Sequence, residues 1–129
     1  MFTYRITFSL TRDNQTENFT FEKQASGRVE LDETIPAAST NLQCNFTADV
    51  SAMVALMIVS DQDVTIKTNS TSTPGDTIPL KANVPIPWVS DFGSKPPNPL
   101  TADVTTIYVN NAGAVPARLR IYNLQDATP

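Results

Sequence analysis

The run Met53-Val54-Ala55-Leu56-Met57-Ile58-Val59 constrains this chain more than any other stretch. It has high strand propensity, no charge and no proline. Left exposed, it would pair with other chains. It must therefore become an interior strand or lie under a neighbouring subunit. A polar corner, Ser60-Asp61-Gln62-Asp63, follows it, and then an alternating segment, Val64 to Asn69. A short apolar run bounded by turn residues suits a strand buried on both faces. An alternating run suits a strand with one wet face. Together they predict an antiparallel hairpin at the centre of an all-β domain.

The rest of the chain repeats the period of two. Phe2, Tyr4, Ile6, Phe8 and Leu10 fall on one face, and Thr3, Arg5, Thr7 and Ser9 on the other, which predicts a half-buried strand. Residues 11–18 read as a polar loop containing Asp13-Asn14, and Phe19 and Phe21 mark a short second strand. Further strands are expected over residues 28–35, ended by Pro36, and over 41–48 with Leu42, Cys44, Phe46 and Ala48 inward. Pro79 assigns 77–82 to an edge or an irregular ladder, and Pro85-Ile86-Pro87-Trp88 is extended. Residues 90–101 form the longest irregular stretch. Strands return at 104–110 and 117–124, linked by a hairpin loop, Asn111-Ala112-Gly113-Ala114, before a tail from Gln125 that is frayed or docked. Eight or nine short strands without a helical period predict a two-sheet antiparallel sandwich over residues 1–129, one domain by size. A jelly roll is the first choice and an immunoglobulin-like sandwich the alternative, although the Cys-Trp-Cys pattern of true immunoglobulin domains is missing.

Composition narrows the chemistry. The chain has 129 residues and a net charge of -4, which gives no basic footprint for nucleic acid. Arg118 and Arg120 are the only close basic pair, and on a strand they share one face, read as solvated. The single cysteine, Cys44, excludes an internal disulfide and reads as a small core residue. No apolar stretch is long enough to span a bilayer, and residues 1–5 do not start a signal peptide, so the chain is expected in a reducing cytoplasm.

There is no histidine, which removes Ser-His-Asp and Cys-His catalysis and the usual zinc sites. Asp61 and Asp63 lie two apart and are oxygen donors of the kind calcium takes, but the spacing of a calcium loop is absent and a polar turn explains them. A carboxylate pair drawn from Asp32, Glu33, Asp91 and Asp103 is not singled out by any pattern. The sequons at Asn14, Asn18, Asn45 and Asn69 follow from the abundance of threonine. The expectation is no enzyme, no cofactor and no metal. Trp88 reads as an aromatic lid on one end of the core, with a subunit-interface or sugar-stacking role as the alternative. Phe92, inside a polar loop, is the better interface candidate.

Four segments and the C-terminal strand make a recognisable pattern: Ser60 to Asn69, Thr77 to Ala82, Pro85 to Trp88, Asp103 to Asn111, and Ala117 to Leu124. In this order they resemble jelly-roll cement (decoration) proteins on the capsids of tailed bacteriophages. The resemblance covers roughly residues 50–129 and carries no catalytic residues. It implies a homotrimer on the outer virion surface, made in the host cytoplasm, that clamps the major capsid protein and binds neither nucleic acid nor membrane. The competing expectation is a carbohydrate- or receptor-binding β-sandwich of a head fibre or adhesin, based on Trp88, Phe92 and Tyr108 near loop ends. On the cement reading the contact is expected at residues 90–101 with Trp88 and Phe92. Phe92→Asp should then weaken assembly, read by sedimentation, while the monomer keeps its fold.

Overall fold

The structure is a computed structural model and describes residues 1–126. Residues 127–129, most of the tail expected to be frayed or docked, lie outside the described residues. Ten strands run in order: β1 (Phe2–Arg12), β2 (Gln15–Ala25), β3 (Gly27–Ile35), β4 (Ser39–Cys44), β5 (Met53–Ser60), β6 (Val64–Thr68), β7 (Thr77–Leu80), β8 (Ile86–Val89), β9 (Ile107–Asn111) and β10 (Ala117–Gln125). Among the described residues, helix is confined to two single 3-10 turns, Val50–Ala52 and Ser90–Phe92. The strands form two antiparallel four-stranded sheets, ordered β3-β10-β5-β8 and β4-β9-β6-β7, plus a separate pair, β1-β2. The fold is an antiparallel β-sandwich carrying a two-stranded arm.

The sandwich is closed by the alternation seen in the sequence. Leu56 and Ile58 on β5, Leu119 and Ile121 on β10, Ile66 on β6, and Ile107 and Val109 on β9 are each at most 2% exposed. Burying an aliphatic side chain of this size stabilises by about 1.5–3 kcal/mol, so these few residues outweigh any surface ion pair. The uncharged run becomes β5, an interior strand between β10 and β8. Pro79 and Pro87 fall on β7 and β8, the outer strands of their sheets, where a missing N–H costs no ladder bond.

Two expected hairpins are absent. β5 and β6 are consecutive but lie in different sheets, and so do β9 and β10. Every link from β3 to β10 except β6–β7 passes from one sheet to the other. The reason is that alternation fixes which face of a strand is buried, not whether its neighbour in sequence lies beside it or across the core. Side-chain hydrogen bonds hold these crossings. Asp61 Oδ1 accepts from the Arg118 backbone N–H at 2.8 Å, tying the β5–β6 corner to β10.

Two smaller expectations also change. Residues 11–18 are not a loop but the far ends of two 11-residue strands joined by Asp13-Asn14, with Asp13 at φ +54°. Their threonine and amide side chains pair across the strands, so polar composition did not prevent pairing. The strand expected over 41–48 ends at Cys44, and Leu42 is 37% exposed beside a break in the β4–β9 register. Cys44, Phe46 and Ala48 are buried as expected.

Asn111 is the polar anchor of the cross-sheet links. It is 0% exposed. Its Nδ2 donates to the carbonyls of Ile35 (3.2 Å), Pro36 (3.3 Å) and Val115 (3.0 Å), and its Oδ1 accepts from Gly113 N–H at 3.1 Å. One side chain thus joins the turn after β3 to the turn before β10. Orphaning buried backbone partners costs about 1–3 kcal/mol. Asn111→Leu is therefore expected to lower unfolding stability in urea by about 2 kcal/mol with little change in the denaturant slope. A loss under about 0.5 kcal/mol would show that the turns are held by other means.

Candidate functional site

The part of the molecule left over once the sandwich is closed is the β1-β2 arm. Its register puts Phe2, Tyr4, Ile6, Phe8 and Leu10 opposite Ala25, Lys23, Phe21, Phe19 and Glu17 on one face. The other face is polar and self-paired: Arg5 with Glu22 (3.0 Å), Thr7 with Thr20 (3.1 Å), Ser9 with Asn18, and Thr11 with Thr16 (3.0 Å). An isolated two-stranded hairpin is marginal in water, so the apolar face needs a surface to lie on.

The root of the arm finds that surface on its own sandwich. Ala25 is 0% exposed and packs with Ala55, Val89 and Leu124 from the outward face of the β3-β10-β5-β8 sheet, joined by Tyr4, Ile6 and Phe21. Tyr4 Oη donates to Glu30 Oε1 at 2.6 Å, and the Arg28 guanidinium lies 4.4 Å from the centre of the Phe2 ring. Burial, followed by the bond to Glu30, pushes the Tyr4 phenol well above its ordinary range. At the other side of the sheet, Phe8, Phe21 and Phe92 form a ring cluster with centroids 5.5–6.1 Å apart. There Lys23 Nζ meets Asp91 at 2.7 Å. The arm therefore crosses the sheet from β3, at one edge, to the turn that follows β8, at the other.

Beyond Phe8 the arm continues for about 13 Å, four residues at roughly 3.3 Å each, and every residue from Ser9 to Thr20 is exposed. Its apolar face continues too: Leu10 is 58% and Phe19 54% exposed, diagonal neighbours on the side that the root buries. Single exposed apolar residues are ordinary, but an apolar row that outruns its own support is a candidate contact surface. Beside the root, an open cleft of about 410 Å³ lies between β1 and the sheet, lined by Tyr4, Ile6, Glu30, Met57 and Tyr122 together with Thr3 and Arg5.

The two residues singled out in the sequence part company. Trp88 is 8% exposed, with its ring in the main core, and its Nε1 has no hydrogen-bond partner. It fills the core and offers no face for stacking. Phe92 is half-buried, and its ring holds the arm to the sandwich. The sequence treated the arm as an ordinary strand followed by a loop. The signal that could have found it was the matched polar sets, Thr7/Thr20 and Thr11/Thr16, symmetric about Asp13-Asn14.

The remaining candidates are structural. Asp61 and Asp63 take the backbone N–H groups of Arg118 and Ala82, both at 2.8 Å. Among the described residues no group of three His, Cys, Asp or Glu side chains is placed to hold a metal ion. Cys44 is buried, and burial, with a smaller effect of Glu33, pushes its thiol up. Arg118 and Arg120 do share an outward face; Arg118 holds Asp32 with two bonds, of 3.0 and 2.7 Å, while Arg120 Nε has no partner. No helix among the described residues is long and apolar enough to cross a membrane. No family model, no curated protein and no solved structure matches this chain.

The ion pair of the arm gives a pH dependence. The hydrogen bond from Lys23 is the main cause that holds the Asp91 carboxyl below its ordinary value of 3.8. A lowered folded pKa stabilises above the unfolded value and is lost as pH falls through the folded one. The arm should therefore loosen as pH falls below the unfolded carboxyl's value of about 3.9 and on through the lower value at which the paired Asp91 takes up its proton. At neutral pH, Phe92→Ala is expected to cut hydrogen-exchange protection of β1 and β2 at least tenfold, with β5 and β10 unchanged. Asp91→Asn should abolish the acid-induced part of the loosening. Equal loss of protection across arm and sandwich would show that the arm is not a separate unit.

Proposed function

We propose that this chain is a structural virion protein of a tailed bacteriophage, a capsid cement protein that acts through protein–protein contacts alone. On this reading it is made in the host cytoplasm, works as a homotrimer on the outer capsid surface, and braces the major capsid protein against the pressure of packaged DNA. We also take the sandwich to be a jelly roll. The support is its strand order, β3-β10-β5-β8 facing β4-β9-β6-β7, with the chain changing sheet at every link but one. Eight-stranded jelly rolls recur among viral capsid and lectin domains.

The observation that carries the functional reading is the overhanging arm. A hairpin with Leu10 and Phe19 more than half exposed on an otherwise seated apolar face is made for contact with another protein. The likeness of the segments from Ser60 to Leu124 to cement proteins adds a class of partner. We prefer this reading to a carbohydrate-binding one because Trp88, the best stacking platform in the sequence, is turned into the core. The mildly acidic balance, -4, also suits a protein that has to leave packaged DNA alone.

The test is co-sedimentation with expanded capsids assembled from the major capsid protein of the same virus. Saturable binding is expected, together with a rise in the temperature at which the shells disassemble. A protein that stays in the supernatant at micromolar concentration overturns the reading.

A further inference from the structure

The arm has one apolar face but two fates for it. Residues up to Phe8 and Phe21 lie on their own sandwich, while Leu10 and Phe19 run past it. Beside Leu10 on the same face is Glu17, its direct partner across the hairpin, and Glu17 makes no ion pair among the described residues. The arm tip thus presents two large apolar side chains and one free carboxylate.

The outward face of the β3-β10-β5-β8 sheet carries the complement. Next to the arm root lies the open cleft with Met57 and Tyr122 on its floor. One step along β10 on the same face is Arg120, beside Val59, with a buried Nε that no acceptor meets. The neighbouring Asp32 is already taken by both bonds from Arg118. Arg120 faces Asp32 across the ladder and feels its charge, but its Nε meets no acceptor, so a cation beside an apolar floor faces an apolar tip with a free carboxylate. Within one molecule they stay apart, because the arm leaves the sheet at the β8 side.

We infer that the arm tip of one copy docks on the outer sheet of a second copy, with Leu10 and Phe19 in the Met57–Tyr122 cleft and Glu17 on Arg120. The contact joins two different surfaces, so copies add head to tail and close into a ring where the rotation allows. Size argues for the ring over an isolated pair. The tip is about 13 Å long and two strands, roughly 10 Å, wide, far below the ~800 Å² per partner of a stable two-body interface. In a ring each copy gives one tip and receives one. The inference deepens the assembly reading above by naming its self-contact, but it stands on the arm and the sheet and does not require a capsid.

The test is light scattering during size exclusion on the full chain, at low and high salt. Wild type is expected as an oligomer that weakens with salt. Leu10→Asp/Phe19→Asp should run as a monomer with an unchanged far-ultraviolet spectrum, since both sites are exposed. Glu17→Arg and Arg120→Glu should each weaken association at least tenfold, and the double exchange should recover most of that loss. If Arg120→Glu fails to fold, Arg120→Gln serves, and should remove the salt dependence. A monomeric wild type, an oligomer indifferent to the tip variants, or a double exchange no better than either single one overturns the inference. Capsid binding by a monomeric tip variant would leave the cement role standing without its trimer, and loss of capsid binding by an intact oligomer would overturn the cement role and leave the arm contact standing.

Discussion

β5 must be covered on both faces, and the rest of the molecule is arranged to do it. Its run from Met53 to Val59 has no charge to offer water on either side. One face, with Leu56 and Ile58, looks into the sandwich and is closed by the β4-β9-β6-β7 sheet. The other face would be bare on a plain sandwich. Here Ala55 on that face is 0% exposed because the root of the arm lies over it, alongside Val89 and Leu124. The arm is therefore part of the fold at its root and something else at its tip.

That division has an energetic basis. The root joins an aliphatic cluster, three aromatic rings, and links at Tyr4–Glu30 and Lys23–Asp91. Each exposed ion pair is worth little by itself, under about 1 kcal/mol. The rings and the buried Ala25 supply most of the hold. Among the described residues, the tip's hydrogen bonds run across its own two strands, such as Thr11 with Thr16. An arm that is firm at one end and free at the other, polar on its upper face and apolar on its lower one, has the form that the proposed contact requires. Each strand of the arm keeps an outer edge, and charged residues such as Arg5, Arg12 and Glu22 stud the pair, which discourages edge pairing.

The sandwich shows a second use of polar groups. Its crossings between sheets are not closed by tight hairpin turns. They are closed by side chains that stand in for backbone partners: Asn111 on four backbone groups, Asp61 on Arg118 N–H, and Asn69 on the Asp103 carbonyl and the Thr105 N–H. Asn69, Asn111 and Asp61 are thus fastenings of a chain that keeps changing sheets. The carboxylates considered for chemistry, Asp61 and Asp63, belong to the same set.

The sequence by itself determined that the chain is all-β, that the run from Met53 to Val59 has to be covered, that Pro79 belongs at an edge or an irregular ladder, and that Cys44, Phe46 and Ala48 point inward. Each of these follows from a local rule: the period of two, the missing N–H of proline, or the cost of exposing an uncharged run. It could not decide between a hairpin and a crossing at Ser60–Val64 or at Asn111–Ala117, because both bury the same alternate residues. It named Phe92 as an interface candidate but not what Phe92 touches, and it read Trp88 as a lid on the core with an interface or stacking role as the alternative. Only the tertiary structure decided those points. It alone set the length of the arm against the width of the sheet beneath it, and the difference between those two lengths leaves Leu10 and Phe19 uncovered.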